Sequence, residues 1–292
     1  MTHSADKMKP LSSVDFSQSL FEMDYFSWNV RCTLISAGFL FYFLIFLLTH
    51  VCSLALSLTY RSLPVKEKVF WNLAVSRGIF GIQSIVAGLW ALLKDPALQS
   101  DKLLGQQDWS WFNMLTAFGF FLFENIALHG SNVVFKTFDL ALGLHHFFAL
   151  SGYGSALIWD NLGHYLPMLI LLLEMSTPFT CISWMLLKAG FSHLRLWKLN
   201  QWLMIHLFHC RMILTYHIWW VCWQNLERMK LHIKVPQMAL FFAGLFLLTF
   251  VINPYWTHKK TLQLFNPVDW NFERPTGKVS NGETNTALKK AA

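Results

Sequence analysis

The chain has 292 residues, of which 54% are hydrophobic and only 13% carry a charge. Soluble domains carry charge on about 25% of their residues, so this chain is neither an ordinary soluble domain nor a disordered segment. The net charge is +7, but the basic residues stand singly in short segments between apolar runs. That distribution is typical of membrane-protein loops and does not indicate nucleic-acid binding. The composition predicts a protein that crosses the bilayer several times.

Apolar runs long enough to cross a bilayer, about 20 residues each, occur seven times along the chain. They cover roughly residues 32–56, 70–93, 109–129, 134–157, 164–187, 199–223 and 237–253. Polar residues interrupt the third and fourth runs, so five or six spans stay open as alternatives to seven. The predicted fold class is all-α, a polytopic bundle of membrane-spanning helices.

Two features of the positive charges bear on orientation. With seven spans, the segments on the same side of the membrane as the C-terminus carry nine lysines and arginines, and those on the opposite side carry seven. Cytosolic loops are enriched in both residue types. Lys289 and Lys290 resemble the dilysine signal by which the COPI coat returns membrane proteins to the endoplasmic reticulum. That interpretation requires a cytosolic C-terminus. The alternative is a basic polar tail without a signal.

The fourth run contains two adjacent histidines, His145 and His146. Successive helical residues point about 100° apart, so one ring is expected to line a cavity while the other bonds a neighbouring helix. Asp139 lies seven residues before His146, on nearly the same face of the helix. A single histidine in a membrane usually hydrogen-bonds another helix, whereas a tandem pair in so apolar a segment favours a functional site equally well.

Glu174 lies in the fifth run, four residues before Pro178. The proline has no N–H and leaves the Glu174 carbonyl without its helical partner, so the helix is expected to bend beside the carboxylate. An ionised side chain facing lipid is costly, so Glu174 is expected to face the bundle interior or a water-filled cavity. The alternative role is structural, in a pair with Arg211 or with a histidine.

The sixth run has the most polar pattern of the seven. His206, Cys210 and His217 recur on one helix face, His209 lies on the neighbouring face, and Arg211 follows. Histidines at this spacing beside a cysteine could bind zinc, but one helix supplies too few ligands and no zinc-enzyme signature is present. The pattern therefore favours a hydrogen-bonded pore lining, and no metal site is predicted.

Three motifs together resemble the TLC domain (TRAM–Lag–CLN). They are the His145–His146 pair, the run EMSTPF at 174–179 and the exit NPYW at 253–256. The resemblance covers roughly residues 62–262 and divides the chain into a polar N-terminal segment (1–30), a first span with linker (31–61), the TLC domain (62–262) and a cytosolic tail with the dilysine end (263–292).

The resemblance implies a helical bundle with a membrane-embedded cavity. It also implies an endoplasmic reticulum protein that cycles through the ER–Golgi intermediate compartment and supports lysosomes and lipid homeostasis. Ceramide synthases of this family use a tandem histidine pair in acyl transfer from acyl-CoA, and His145 and His146 match that pair. Where those enzymes have paired aspartates, this chain has the single Glu174. The departure argues against ceramide synthesis and leaves acyl transfer to another lipid open.

In the enzyme hypothesis, His145 or His146 is a general base or a transient acyl carrier, a task that suits imidazole near pH 7. Glu174 would orient the ring, and Arg211 or Lys198 would meet a phosphate or coenzyme A. No cofactor is bound permanently, acyl-CoA is the co-substrate, and the acceptor is a lysophospholipid such as lysophosphatidylglycerol. The predicted substrate-binding residues are Asp139, His206, His209, Arg211 and His217.

In the alternative hypothesis, the chain is a cargo receptor that exports newly made lysosomal enzymes and returns through Lys289 and Lys290. Its contacts would be lumenal loops, such as residues 94–108 and the segment near Asp160. A receptor has no need of ionisable groups buried in its bundle, so the histidine pair and Glu174 favour the enzyme. A ceramide-binding or lipid-binding sensor is the third alternative. The expected partners are membrane lipids, lysosomal enzyme cargo, the COPI coat and a second copy of the chain.

Overall fold

The computed structural model describes residues 23–137, 140–269 and 272, and every regular element in these ranges is helical. Two long stretches are interrupted, one by a 3₁₀ turn and one by a π-helical turn. The elements are α1 (Trp28–Leu56), α2 (Leu58–Ser62), α3 (Val65–Leu93), α4 (Pro96–Ser100), α5 (Asp108–Phe135), α6 (Leu140–Trp159), α7 (Tyr165–Leu172), a 3₁₀ turn (Leu173–Ser176), α8 (Thr177–Lys188), α9 (Arg195–Gln224), α10 (Leu226–His232), α11 (Val235–Leu247), a π turn (Leu248–Ile252) and α12 (Asn253–Phe265).

Within the described ranges, five helical stretches are long and apolar enough to cross a membrane: Trp28–Leu56, Val65–Leu93, Asp108–Phe135, Tyr165–Lys188 and Val235–Phe265. They correspond to the first, second, third, fifth and seventh predicted runs. The fourth and sixth runs are also helical, as α6 with 20 residues and α9 with 30, but their polar residues lower their mean hydropathy and they are not among the five. The all-α multi-span class is confirmed. The count of seven spans stays a prediction that the structure is compatible with.

Loops and helix ends meet at one end of the bundle, here called the first end. Arg31, near the start of α1, places Nη1 2.8 Å from Asp160 Oδ1, beyond the end of α6. The loop after α4 joins the loop after α6, because the Gly163 N–H donates to the Leu103 carbonyl at 2.6 Å. These contacts fix the start of α1, the end of α6 and the loop before α5 at the same level.

The opposite end of the bundle, called the second end, is held by the side chain of Lys188 at the close of α8. Its Nζ lies 3.0 Å from Glu67 Oε2 near the start of α3 and 2.7 Å from Asp269 Oδ2 beyond α12. Near the start of α9, the amide of Gln201 donates to the Lys260 carbonyl of α12 at 2.8 Å. The described chain therefore enters at the first end and leaves at the second.

Two titratable groups at the first end lie outside the apolar stretches. His164 is buried against Trp111 and contacts the Ser110 hydroxyl through Nδ1 at 2.6 Å. Burial lowers the pKa of His164 to about 3, so its imidazole is neutral near pH 7. The hydrogen bond from Arg228 lowers the pKa of the Asp101 carboxyl. The first end is thus held by neutral packing around His164 and by a charged pair at its edge.

The stretch Tyr165–Lys188, which is the fifth predicted run, is interrupted beside Glu174. Leu173–Ser176 forms a 3₁₀ turn, and the N–H of Thr177 donates to the Glu174 carbonyl. The expected irregularity beside Pro178 is therefore present, and the freed carbonyl has found a new donor. Pro178 packs directly on α3, where a Cβ added at Gly81 would lie 2.6 Å from the proline Cδ. A glycine on the partner helix lets the interrupted helix approach this closely.

The crossing of α1 and α5 depends on two further glycines. A Cβ at Gly119 would lie 2.3 Å from the Ile35 carbonyl oxygen, and a Cβ at Gly38 would lie 2.6 Å from the Thr116 carbonyl oxygen. Both obstructing atoms belong to backbone, which cannot rotate away as a side chain can. Small residues at a helix crossing allow such close packing in membranes.

We predict that Gly119→Ala lowers stability although alanine is the better helix former. The added methyl collides with the backbone of α1, and overpacking of this kind typically costs about 1–3 kcal/mol. Gly130→Ala is the matched control, because a Cβ at Gly130, on the same helix, meets no atom within 4 Å. The thermal unfolding midpoint in detergent should fall for Gly119→Ala and stay equal or rise for Gly130→Ala. Equal midpoints for the two variants would contradict the close crossing.

Candidate active site

Two cavities meet inside the bundle, and His145 and Glu174 line both of them. One cavity, here called the apolar cavity, has a volume of about 1130 Å³ including its mouth and is walled mainly by α6, α7 and α11. The other, called the polar cavity, has a volume of about 1180 Å³ and reaches the second end of the bundle. The predicted histidine–glutamate site therefore lies where an apolar space and a polar space join.

His145 faces Glu174 across the junction of the two cavities. Its Nε2 lies 3.5 Å from Glu174 Oε1, and both side chains are 14% exposed. The Thr177 hydroxyl donates to the other carboxylate oxygen, and Trp256 of α12 packs edge-on against the imidazole with ring centroids 5.4 Å apart. The carboxylate is thus positioned to fix the ring and to stabilise a positive charge on it. Of the alternatives for Glu174, contact with a histidine is the one observed.

His146 is turned away from Glu174 and towards a second carboxylate. Its Nε2 lies 3.8 Å from Glu124 Oε1 on α5, and only 5% of the residue is exposed. The two histidine rings are 5.2 Å apart and inclined by 73°. Both rings line the polar cavity, but they face different carboxylates, Glu174 for His145 and Glu124 for His146. His146 lines only the polar cavity, so the two histidines have different access to a ligand.

A buried ion pair supports His146 from behind. Arg77 of α3 donates from Nε to Glu124 Oε1 at 2.8 Å, and its Nη2 contacts the same oxygen. Glu124 is fully buried, so this arginine supplies the charge that the carboxylate requires. Both residues are ionisable groups within predicted spans, 70–93 and 109–129, but neither was predicted to belong to the site. The only indication of this pair in the sequence is that two residues of opposite charge lie in two consecutive apolar runs.

The polar cavity is lined by four basic side chains, those of Arg77, Arg211, Lys259 and Lys260. Arg211 donates from Nη1 to the Ser176 hydroxyl at 2.8 Å, while its Nε and Nη2 have no hydrogen-bond partner among the described residues. Arg211 is 2% exposed. Within the part of the chain that the structure describes, it forms no salt bridge with Glu174. A buried guanidinium with free N–H groups facing a cavity is suited to bind an anion.

The other predicted substrate-binding residues lie away from the two cavities or outside the described part. His206 and His209 point outwards from α9, and His206 stacks on Trp202 with centroids 4.0 Å apart. His217 is half-buried and its Nε2 lies 3.1 Å from the Tyr165 hydroxyl. Asp139 lies outside the described residues. Among the described members of the predicted binding set, Arg211 alone lines one of the two cavities, and the roles of all the others stay predictions.

In residues 23–137, 140–269 and 272, no three His, Cys, Asp or Glu side chains form a group that could hold a metal ion. The site offers a general base, an orienting carboxylate and basic groups for an anion. This combination is suited to proton transfer during attack on a carbonyl.

Comparison with known proteins assigns this bundle and its cavities to a class. Residues 70–260 match the family model of the TLC domain, and the chain belongs to the TLC-domain family. It is similar to Protein CLN8 of Homo sapiens, with 58% identity over 97% of this chain and 99% of that protein. Protein CLN8 of Rattus norvegicus is 60% identical over 94% of this chain and 96% of that protein. No solved structure matches the chain.

We predict that breaking the Arg77–Glu124 pair from one side is more harmful than removing it. Arg77→Met leaves the Glu124 carboxylate buried without its cation and should lower the free energy of unfolding by about 3–5 kcal/mol. The double variant Arg77→Met/Glu124→Leu removes both charges and should recover much of that loss. Thermal unfolding in detergent measures both effects. A double variant no more stable than the single one would show that the pair is not the source of the loss.

Proposed function

We propose that the chain is an acyl-CoA-dependent lipid acyltransferase in which His145 and Glu174 form the reaction centre. The observation that carries this proposal is the contact between these two side chains at the junction of an apolar and a basic cavity. An acyl-CoA is itself divided in this way, with a long apolar chain on one side of its thioester and phosphates on the other. The two cavities match that division.

In the proposed complex, the phosphates of coenzyme A lie among the basic residues of the polar cavity. Arg211 is best suited to them, because two of its N–H-bearing nitrogens are free and it is buried. The acyl chain extends from His145 into the apolar cavity. The thioester carbonyl then lies at the junction of the two cavities. This arrangement brings the reacting carbon to the imidazole and keeps the charged part of the donor near the second end.

The chemical step needs only one base. His145 accepts the proton of the acceptor hydroxyl as that oxygen attacks the thioester carbonyl, and Glu174 stabilises the imidazolium that forms. The carbon–sulfur bond then breaks, the thiolate takes the proton back from His145, and an ester and free coenzyme A remain. His146 is a positioning residue, since its partner is the Arg77–Glu124 pair. In the alternative route, the His145 imidazole attacks the thioester first, which forms an acyl-imidazole and releases the thiolate of coenzyme A. The acceptor hydroxyl then attacks the acyl carbon, the carbon–nitrogen bond breaks, and the hydroxyl proton is passed to the thiolate.

The acceptor in this proposal is a lysophospholipid such as lysophosphatidylglycerol. Its free hydroxyl would reach the junction from the polar cavity, where the basic residues tolerate a phosphate. The choice among lysophospholipids rests on the proposed support of lysosome function and not on any one residue. If no acyl transfer is found in the experiment below, the cargo-receptor and lipid-sensor hypotheses are the alternatives.

We predict that the purified full chain acylates a lysophospholipid and that His145→Ala lowers the rate at least about 100-fold by removing the general base. Glu174→Gln should lower it at least about tenfold, because the amide cannot stabilise the imidazolium. His146→Ala should cost less than His145→Ala, since His146 does not line the apolar cavity. Labelled long-chain acyl-CoA is incubated in detergent with a panel of lysophospholipids and sphingoid bases, and labelled product is measured.

His232→Ala is the matched control for this series, because it is the same substitution at an exposed histidine at the end of α10 that lines neither cavity. It should leave the rate unchanged, and unfolding midpoints establish that each variant is folded. If the folded wild type acylates none of the acceptors, and export of lysosomal enzymes survives in the His145 variant, the catalytic proposal is wrong. The result would then favour the cargo receptor.

We also propose that the chain resides in the endoplasmic reticulum and the ER–Golgi intermediate compartment with its C-terminus in the cytosol. Lys289 and Lys290 would then bind the COPI coat. Both lysines lie outside the described residues, so this part of the proposal rests on their positions in the sequence.

We predict that Lys289→Ala/Lys290→Ala shifts the full chain from the endoplasmic reticulum towards later compartments, because the retrieval contact is lost. Lys278→Ala removes a lysine of the same tail away from the signal and should leave the distribution unchanged. Microscopy against compartment markers measures both. An unaltered distribution of the double variant would show that the lysines are only a polar tail.

A further inference from the structure

One buried side chain in the apolar cavity has no polar partner. Gln237, in the first turn of α11, is 3% exposed and lines the cavity. Neither its amide nitrogen nor its amide oxygen has a hydrogen-bond partner among the described residues. Leaving both halves of a buried amide unpaired is costly, and such groups are rare in native proteins. A ligand in the cavity that pairs with the amide would remove this cost.

The chemistry of the amide restricts the partner. The nitrogen can only donate and the oxygen can only accept, so an ester carbonyl would satisfy the nitrogen and leave the oxygen unpaired. A hydroxyl or an amide group both donates and accepts and can therefore satisfy both. Among the described residues that line this cavity, the only histidine or acidic side chains are His145 and Glu174, and both lie towards its other end. An uncharged partner is thus favoured at Gln237.

The distance between the two polar ends indicates a long ligand. Ile252 of the π turn lines the cavity near the reaction centre. It lies fifteen positions after Gln237 in the chain, which corresponds to about 22 Å along the helix axis. The wall between them is mainly apolar, as with Phe241 and Leu248. An extended hydrocarbon chain fits a space of this length and character.

Gln237 lies at the first end of the bundle, where α11 begins. Lys234, just before the helix, stands 5.8 Å from the ring centroid of Trp159 at the close of α6. Tryptophan and lysine at helix ends are typical of the level of the lipid headgroups. A lipid of the adjacent leaflet would therefore carry its polar group at the level of Gln237 and its chain towards the middle of the bilayer.

We infer that Gln237 anchors the hydroxyl or amide group of a neutral membrane lipid whose hydrocarbon chain fills the apolar cavity towards His145 and Glu174. The lipid enters from the leaflet at the first end, opposite to the end at which the polar cavity receives its anion. Binding of this lipid is independent of acyl transfer. Because it occupies the space of the donor's acyl chain, it would compete with acyl-CoA, and that consequence alone rests on the proposed function.

The experiment uses the full chain in phosphatidylcholine nanodiscs without acyl-CoA. The probe is radiolabelled monooleoylglycerol with a photoreactive diazirine in its chain, and the readout is covalent labelling of the protein. The competitors are unlabelled monooleoylglycerol, which has free hydroxyls, and methyl oleate, which has the same chain without a donor. In the wild type, monooleoylglycerol should displace the probe at a concentration at least about fivefold lower than methyl oleate.

Gln237→Leu removes both polar atoms at similar volume and should abolish this difference between the competitors. Replacing an unpaired buried amide by an apolar group is neutral or stabilising, so this variant is expected to fold, and its unfolding midpoint checks that. Met238→Leu, which changes the neighbouring residue of the same cavity wall, is the matched control and should keep the wild-type preference.

Two results would overturn the inference. One is equal displacement of the probe by both competitors in the wild type, as expected if Gln237 binds only water. The other is a Gln237→Leu variant that keeps the preference for monooleoylglycerol. His145→Ala separates this site from the proposed reaction, because it should lower the rate of acyl transfer at least about 100-fold while the preference for monooleoylglycerol persists. The activity of this variant therefore tests the acyltransferase proposal, and its labelling tests the lipid site.

Discussion

The buried ion pair between Arg77 and Glu124 is the interaction on which the centre of the bundle depends. A carboxylate without water or a cation would be too costly at this position, and Arg77 joins α3 to α5 in supplying that cation. The same Glu124 oxygen lies near His146 and so fixes the rotation of α6. Once His146 faces Glu124, the helix geometry turns its neighbour, His145, by about 100°. His145 thereby reaches Glu174 and the junction of the two cavities.

The parts of this site that could be predicted are those that depend on local geometry. The spacing of a helix separates the two histidines, and the missing N–H of Pro178 explains the interruption beside Glu174. The Arg77–Glu124 pair depends instead on how α3 packs against α5, through aromatic contacts such as Phe80 stacked on Phe120 that no residue pattern encodes. Its members are 47 positions apart in the chain. The sequence therefore predicted the ionisable groups but not which of them are paired.

The sixth apolar run shows why a polar pattern alone does not define a pore. Its histidines share stripes of one helix, yet α9 turns His206 and His209 outwards while Arg211 faces the polar cavity. Apolar residues surround this helix on all sides, so the pattern gives no preferred buried face. Polar residues also affect the number of recognisable spans. The tandem histidines lower the mean hydropathy of α6, which therefore falls outside the five clear membrane stretches.

The apolar cavity relates two functions that the sequence analysis treated as alternatives. A lipid sensor needs a chain pocket with a polar anchor, the role that we infer for Gln237 at the first end. An acyltransferase needs a chain pocket that ends at a base, the role that we propose for His145 at the other end. Because both ends belong to one cavity of limited volume, a lipid held at Gln237 and an acyl chain extending from His145 exclude each other. Lipid binding would then act as competitive control of acyl transfer, and the two functions would be features of one site.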